Sequence, residues 1–153
     1  MSPAVGSNAA ASLRDRDLGM DKEFLSSRLT VMSYELDAFG HVNNAVFLNY
    51  LEKARNDFMI AKGLGFSHFA QWGKFPVVIR ALLEYKSPAR GGERLLIRGW
   101  VAHHSASGFT LKYDISEEAS GRLVLIAETA HVFVNGQNRP TRIPQEFAQA
   151  FFN

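Results

Sequence analysis

No cysteine occurs anywhere in the 153 residues. That absence excludes a disulfide framework, a thiolate nucleophile and a Cys-ligated zinc together. Net charge is almost as scarce. Seventeen Lys and Arg against fifteen Asp and Glu leave a formal +2, and no basic run stands out, so a nucleic-acid partner has no footing. No apolar stretch is long enough to span a membrane. There is no internal repeat and no G-x-S-x-G elbow for a nucleophilic serine. His41, His68, His103, His104 and His131 show no ligand spacing on one element, so no metal and no other cofactor is expected. The first two dozen residues are small, polar and charged and lack the apolar centre of a secretory signal. They read as a flexible tail over 1–24, ahead of a folded domain over 25–153, in a cytoplasmic setting.

What the chain does have is apolar bulk. It is 46% hydrophobic, with twelve Phe against two Trp, and its length is that of one domain with a real core. Ser27 to Leu36 is rich in β-branched and aromatic residues and reads as a strand. Residues 45–62 follow a helical pattern. Phe47, Leu51, Ala54, Phe58 and Ala61 fall on one face, and Val46, Leu48, Tyr50, Met59 and Ile60 widen it nearly all round. Such a helix should be mostly enclosed. Lys62-Gly63 stops it, and Asn43 or Asn44 can cap its start. Ser67 is placed to cap a short helix ending before Gly73. Four strands follow, over 76–86, 93–104, 108–118 and 122–135, separated by short turns that make neighbours antiparallel. A short helix can close the chain. One sheet must therefore bury one long helix, an α+β fold. Its free edges call for a second copy, so at least a dimer is expected.

Between the first strand and the long helix lies "ELDAFGHVNNAVFLNYLEKAR", Glu35 to Arg55, whose polar density exceeds what a connection needs. A helix start offers free N–H groups and a positive dipole end. Asp37, seven residues before Asn44, puts a carboxylate beside them. Gly40 permits close backbone approach of a ligand. By residue type alone, Asp37 is a turn former, Asn43 and Asn44 are caps, and His41 is a turn residue.

The pattern D-x-x-G-H-V-N-N-x-x-F-x-x-Y-x-E-x-A-R over 37–55 resembles the active-site segment of the 4-hydroxybenzoyl-CoA thioesterase family of hotdog-fold proteins. "LEYKSPARGGERLLIRG" (83–99) and "HVFVNGQNRPTRIP" (131–144) are similar to later segments of that family, and the likeness covers roughly 27–145 in order. Plant acyl-lipid thioesterases of the same fold look particularly close around "YELDAFGHVNNAVF". The position before the acid, often small and polar in the family, is here Leu36.

The resemblance implies a single hotdog domain, an antiparallel sheet wrapped around one long helix, paired into a homodimer or homotetramer. It implies an acyl-CoA thioesterase that needs no cofactor and cleaves an acyl thioester to acid and thiol. Asp37 would be the catalytic carboxylate, as nucleophile or as base for water. The Asn44 backbone N–H would be the oxyanion donor, and His41 a further candidate at the reacting group. Gly40, Val42, Asn43 and Phe47 are candidate substrate contacts around the turn. Lys86, Ser87 and Arg90, with His104, Ser105 and Ser107, are candidates for the coenzyme A nucleotide, which in related enzymes often reaches the neighbouring subunit. Glu52 is expected to be structural, paired with Arg55 or the turn. The acyl pocket should lie beside the helix at the subunit interface, with Phe47, Tyr50, Leu51, Phe66, Phe69 and Trp72 available to line it. Acyl carrier protein is the alternative carrier. A hotdog hydratase or dehydratase built on Asp37 and His41, and a non-catalytic acyl-thioester binding protein, are the rival classes.

Overall fold

The computed structural model describes residues 24–153; the segment read as a flexible tail lies, but for Phe24, outside them. Strand β1 spans Leu25–Thr30. It is shorter than expected, because Ser33–Glu35 forms a single 3-10 turn. The Glu35 carboxylate accepts the Met32 N–H at 2.8 Å, which takes that N–H out of any strand ladder.

The long helix, α1, covers Val46–Ala61 and agrees with its expected span to within a residue at each end. Phe47, Leu51, Ala54 and Phe58 are buried together with Tyr50, Arg55 and Met59. The enclosure is less complete than its composition suggests, since Leu48 and Ile60 remain 46% and 68% exposed and Ala61 is exposed too. The short helix α2, Phe66–Trp72, starts from Gly65 without a side-chain cap, so Ser67 does not serve as one; it stops at left-handed Gly73.

Strands β2 (Lys74–Tyr85), β3 (Arg94–His104), β4 (Gly108–Glu117) and β5 (Leu123–Asn135) complete one antiparallel sheet. The spatial order is β1-β3-β4-β5-β2. Helix α3, Gln145–Phe151, closes the chain. Phe147 and Phe151 anchor it in an aromatic cluster with Phe109 and Phe133.

The sheet curls over α1. Gly99 in β3 makes this possible at the closest point. A Cβ there would stand 2.4 Å from the Phe58 ring, so no other residue fits without displacing that buried ring. Phe58 in turn stacks on Tyr113 of β4. β2 is an edge strand, and its apolar side chains are uncovered in the single chain: Val78 is 45% exposed, Ile79 65% and Leu82 55%.

Candidate active site

The expected site segment folds as a closed loop at one end of the sheet. The Asp37 N–H donates to the His41 carbonyl at 2.7 Å and the Gly40 N–H to the Asp37 carbonyl at 3.1 Å. Gly40 has φ +78°, a left-handed conformation that other residues rarely adopt, so the turn requires it. The Asp37 carboxylate faces back into this loop. Its Oδ1 accepts the N–H of Phe39 at 2.8 Å and that of His41 at 3.2 Å. Oδ2 has no partner among the described residues.

Buried contacts hold the loop against the body. Val42 is buried, and its N–H donates to the Ala89 carbonyl at 2.9 Å. His41 forms an isolated antiparallel bridge with Arg90. Leu36 packs against the core and pairs across the loop with Val42. Glu35 ties the loop to α1. Its carbonyl takes the Asn43 N–H at 3.0 Å, and its carboxylate takes the Tyr50 hydroxyl at 3.1 Å. Burial, reinforced by the Glu35 charge, holds the Tyr50 phenol well above its usual range, so it stays a donor.

The two asparagines divide the work at the helix start. Asn43 forms the turn that leads into the helix: its Oδ1 accepts the Ala45 N–H at 2.9 Å, and its carbonyl accepts the Val46 N–H, while the N-cap position itself is Ala45, without a side-chain cap. Asn44 caps nothing with its side chain. Its carbonyl accepts the Tyr85 hydroxyl at 3.0 Å from the end of β2, and Tyr85 also packs edge-on against Phe47. The Asn44 N–H has no acceptor among the described residues. A free donor thus sits at the positive end of a sixteen-residue helix, seven positions after a half-buried carboxylate.

The remaining expected contacts separate into two groups. Lys86, Ser87 and Arg90 lie at the same end as Asp37. Lys86 is exposed and paired with Glu84. Ser87 is structural, since its hydroxyl donates to the Leu123 carbonyl at 2.7 Å and accepts from Arg122. The Arg90 side chain is exposed. His104 and Ser105 stand at the other end of β3, ten residues from Arg94, roughly 30 Å away at the rise of a strand. There His104 stacks on Phe152 at 4.4 Å, and the Ser105 hydroxyl closes its own turn with Gly108. Within one chain they do not meet the Asp37 loop; nor does Ser107, whose carbonyl takes the Phe133 N–H at that far end.

Glu52 is paired as expected, accepting from Arg55 at 2.5 Å. Both border a cavity of about 470 Å³ between α1, α2 and the start of β2. Phe66, Phe69, Phe75 and Val78 give it apolar walls, and His131 also lines it. Of the six residues expected to line an acyl pocket, Phe66 and Phe69 line this cavity, Phe47, Tyr50 and Leu51 are packed in the core, and Trp72 is partly buried against it. Two positioning residues, Glu35 and Tyr85, carry no expectation from the sequence, and Tyr50, expected as a pocket wall, instead donates to Glu35. Tyr50 and Tyr85 each combine an apolar row with a polar tip, a mixture that signals a hydrogen bond to be made at the edge of a core.

Comparison with known proteins settles the family. The family model described as "Thioesterase-like superfamily" matches residues 31–151, from the end of β1 to the end of α3. The chain belongs to the thioesterase-like superfamily. It is 30% identical over 129 residues to an acyl-acyl carrier protein thioesterase of Arabidopsis thaliana, covering 84% of this chain and 68% of the relative. It is 30% identical over 115 residues to the long-chain acyl-CoA thioesterase FadM of Escherichia coli, covering 72% and 83%. Among solved structures, a hypothetical protein of Thermus thermophilus superposes with TM-score 0.77 at 31% identity, over 83% of this chain and 96% of that one. A 1,4-dihydroxy-2-naphthoyl-CoA thioesterase of Synechocystis superposes with TM-score 0.79 at 23% identity, over 86% and 97%. The fold is the hotdog fold, and the protein is by class a thioester hydrolase. Among the described residues no helix is long and apolar enough to cross a membrane.

Proposed function

We propose that this thioesterase hydrolyses acyl-CoA, with Asp37 as its catalytic carboxylate and the Asn44 N–H as its oxyanion donor. The observation that carries the reading is the loop itself. Two backbone donors fix Asp37 Oδ1 and leave Oδ2 for the chemistry. A free helix-terminal N–H follows in the same loop. Attack on a thioester carbonyl needs those two elements together. As base, Asp37 takes a proton from water as the water oxygen bonds to the carbonyl carbon, and returns that proton to the departing thiolate. As nucleophile, Asp37 bonds to the carbonyl carbon itself, and after the thiol leaves, water hydrolyses the acyl anhydride to free the acid and the carboxylate. In both cases the carbonyl π electrons move to oxygen, the Asn44 N–H donates a hydrogen bond to that oxyanion, and its collapse breaks the C–S bond. One such donor is worth about 3 kcal/mol of barrier. His41 contributes its backbone to the Asp37 loop, and Gly40 keeps the approach to it free of a side chain.

The proposal includes a homodimer formed through β2. This strand is twelve residues long, apolar and at the sheet edge, which is a template for pairing. The apolar cavity also needs a second copy. Its α1 lining begins at Glu52, eight positions beyond Asn44, or about 12 Å at the helical rise. Tyr85 packs at the start of α1, while Val78 lies beside Met59 near its end. An isologous antiparallel pairing of β2 brings the start of one strand beside the end of the other. The cavity of one protomer then faces the Asp37 loop of its partner, and an acyl chain can run from loop to cavity.

Acyl carrier protein is the second reading of the carrier, favoured by the identity to the Arabidopsis thaliana enzyme. The exposed Lys86 and Arg90 beside the loop suit the phosphates of either carrier. A cytoplasmic location, tested by fractionation, belongs to the same proposal. The experiment is thiol release from matched acyl-CoA and acyl-carrier-protein panels by wild type and Asp37→Ala. Turnover that falls about a hundredfold or more in the variant supports the reading. Equal turnover by both proteins removes Asp37 from the mechanism. Tight binding of a thioester with no turnover would instead make the protein an acyl-thioester binding module.

A further inference from the structure

A row of buried polar groups runs under α1 to the cavity, and the hydrolysis proposed above uses none of it. Arg55 Nη1 donates to the Tyr113 hydroxyl at 3.2 Å. Tyr113 Oη lies 2.6 Å from Thr129 Oγ1, and Thr129 Oγ1 lies 2.7 Å from His131 Nε2. Arg55 and His131 are 8% and 4% exposed, Thr129 1% and Tyr113 0%. Thr129 and His131 stand two residues apart on β5 and so face the same side of the sheet.

One proton order gives every group in this row a partner. A guanidinium donates and cannot accept. Tyr113 is kept protonated by burial, which outweighs the opposing pull of Arg55. Its single O–H therefore points at Thr129, the one acceptor within reach. Thr129 then has its own proton free for the next atom, His131 Nε2, which accepts it in this order. His131 is then the neutral tautomer that carries its proton on Nδ1. That N–H has no acceptor among the described residues, and His131 is one of the residues that line the cavity.

We propose that the His131 Nδ1–H is a specificity-determining donor in the acyl pocket, selecting acyl groups that carry a keto or hydroxyl oxygen along the chain. The proposal rests on the reading of this cavity as the acyl site. The physical reason is asymmetric. An oxygenated chain satisfies the buried donor, whereas a plain hydrocarbon chain covers it and leaves it unpaired. Thr129 acts through His131, as a positioning residue. Arg55, Tyr113 and Glu52 set the direction of the row from its other end, where Arg55 and Glu52 also border the cavity but are already paired with each other.

The test uses acyl-CoAs of one chain length, with a keto or hydroxyl group moved stepwise along the chain, each compared with the unsubstituted member. The readout is the ratio of kcat/KM values, oxygenated over plain. Wild type should show a ratio of about tenfold or more at one position. His131→Phe and Thr129→Val should bring it close to one, and Thr129→Ser, which keeps the hydroxyl, should restore it. Ring nitrogen NMR provides a readout independent of turnover: wild type and Thr129→Ser should show His131 protonated on Nδ1, and Thr129→Val should lose that fixed tautomer. A ratio near one at every position in wild type, or a preference that survives His131→Phe, overturns the proposal while leaving the thioesterase reading in place. Thiol release from neither member of any pair by wild type overturns both.

Discussion

The two ends of the work done on α1 differ in how they are assembled. At its start, Asp37 holds Phe39 and His41, and Asn43 holds Ala45, all within four positions along the chain. In its middle, Arg55 reaches Tyr113 across 58 positions, and Tyr113 reaches Thr129 across 16. The first arrangement is local and lies partly open to solvent. The second is buried and exists only when helix and sheet are packed. Local arrangements can be assigned to chemistry before folding is considered, whereas the buried row can be recognised only from its partners in space.

Breaking the buried row should show the difference most strongly. Arg55→Ala removes one donor and leaves the Tyr113 hydroxyl and the Glu52 carboxylate without it. The expected loss is about 3 kcal/mol of stability, read from the urea midpoint. An equivalent change in the exposed loop lacks that burial and should cost much less. A loss under roughly 1 kcal/mol would mean that the row is not a packed unit.

The same contrast should appear in acid. Burial, aided by the nearby Arg55 charge, lowers the His131 pKa from 6.5 to about 3. Below pH 6.5 the unfolded chain binds a proton that the folded chain refuses. Stability therefore falls as pH drops from 6.5 towards 3, by roughly 3 kcal/mol at pH 4. His131→Phe should flatten that limb of the stability curve relative to wild type. An unchanged slope between pH 6.5 and 4 would contradict a buried neutral imidazole.

Two smaller effects sharpen the comparison from the open side. Ile79→Lys places a charge on the exposed edge of β2 and should shift the protein towards its single-chain mass of 17.1 kDa in analytical ultracentrifugation, with loss of turnover. A persistent, active dimer would locate the interface elsewhere. Gly40→Ala adds a side chain where nothing stands within 4 Å, so its cost comes from φ +78° alone. About 1 kcal/mol is expected from thermal unfolding. No measurable cost would mean that the loop can rearrange.

Much of the fold was readable because its signals are periodic. The apolar spacing of Phe47, Leu51, Ala54 and Phe58 located α1, and the turns after Lys86, His104 and Glu118 located four strands. The strand expected over 27–36 ran too far because Glu35 captures the Met32 N–H, a contact that residue preference does not register. Ser67 was a plausible cap by type, yet the chain enters α2 from extended Gly65. His104 and Ser105 were grouped with Arg90 as turn residues. In an antiparallel meander, consecutive turns fall at opposite ends of the sheet, which separates them. The Thr129–His131 pair left a faint mark, two polar residues in the alternation that otherwise points Leu125, Ala127 and Phe133 into the core.

The central claim is that the carboxylate of Asp37 performs the chemistry. Asp37→Asn keeps the size of the side chain and its acceptor oxygen for Phe39 and His41, and removes only the negative charge. Single-turnover release of thiol from the preferred acyl-CoA, with circular dichroism and oligomeric mass recorded on the same samples, isolates that change. The account predicts a fall of about a hundredfold or more in the chemical step with fold and assembly intact. A chemical step within a fewfold of wild type would contradict it.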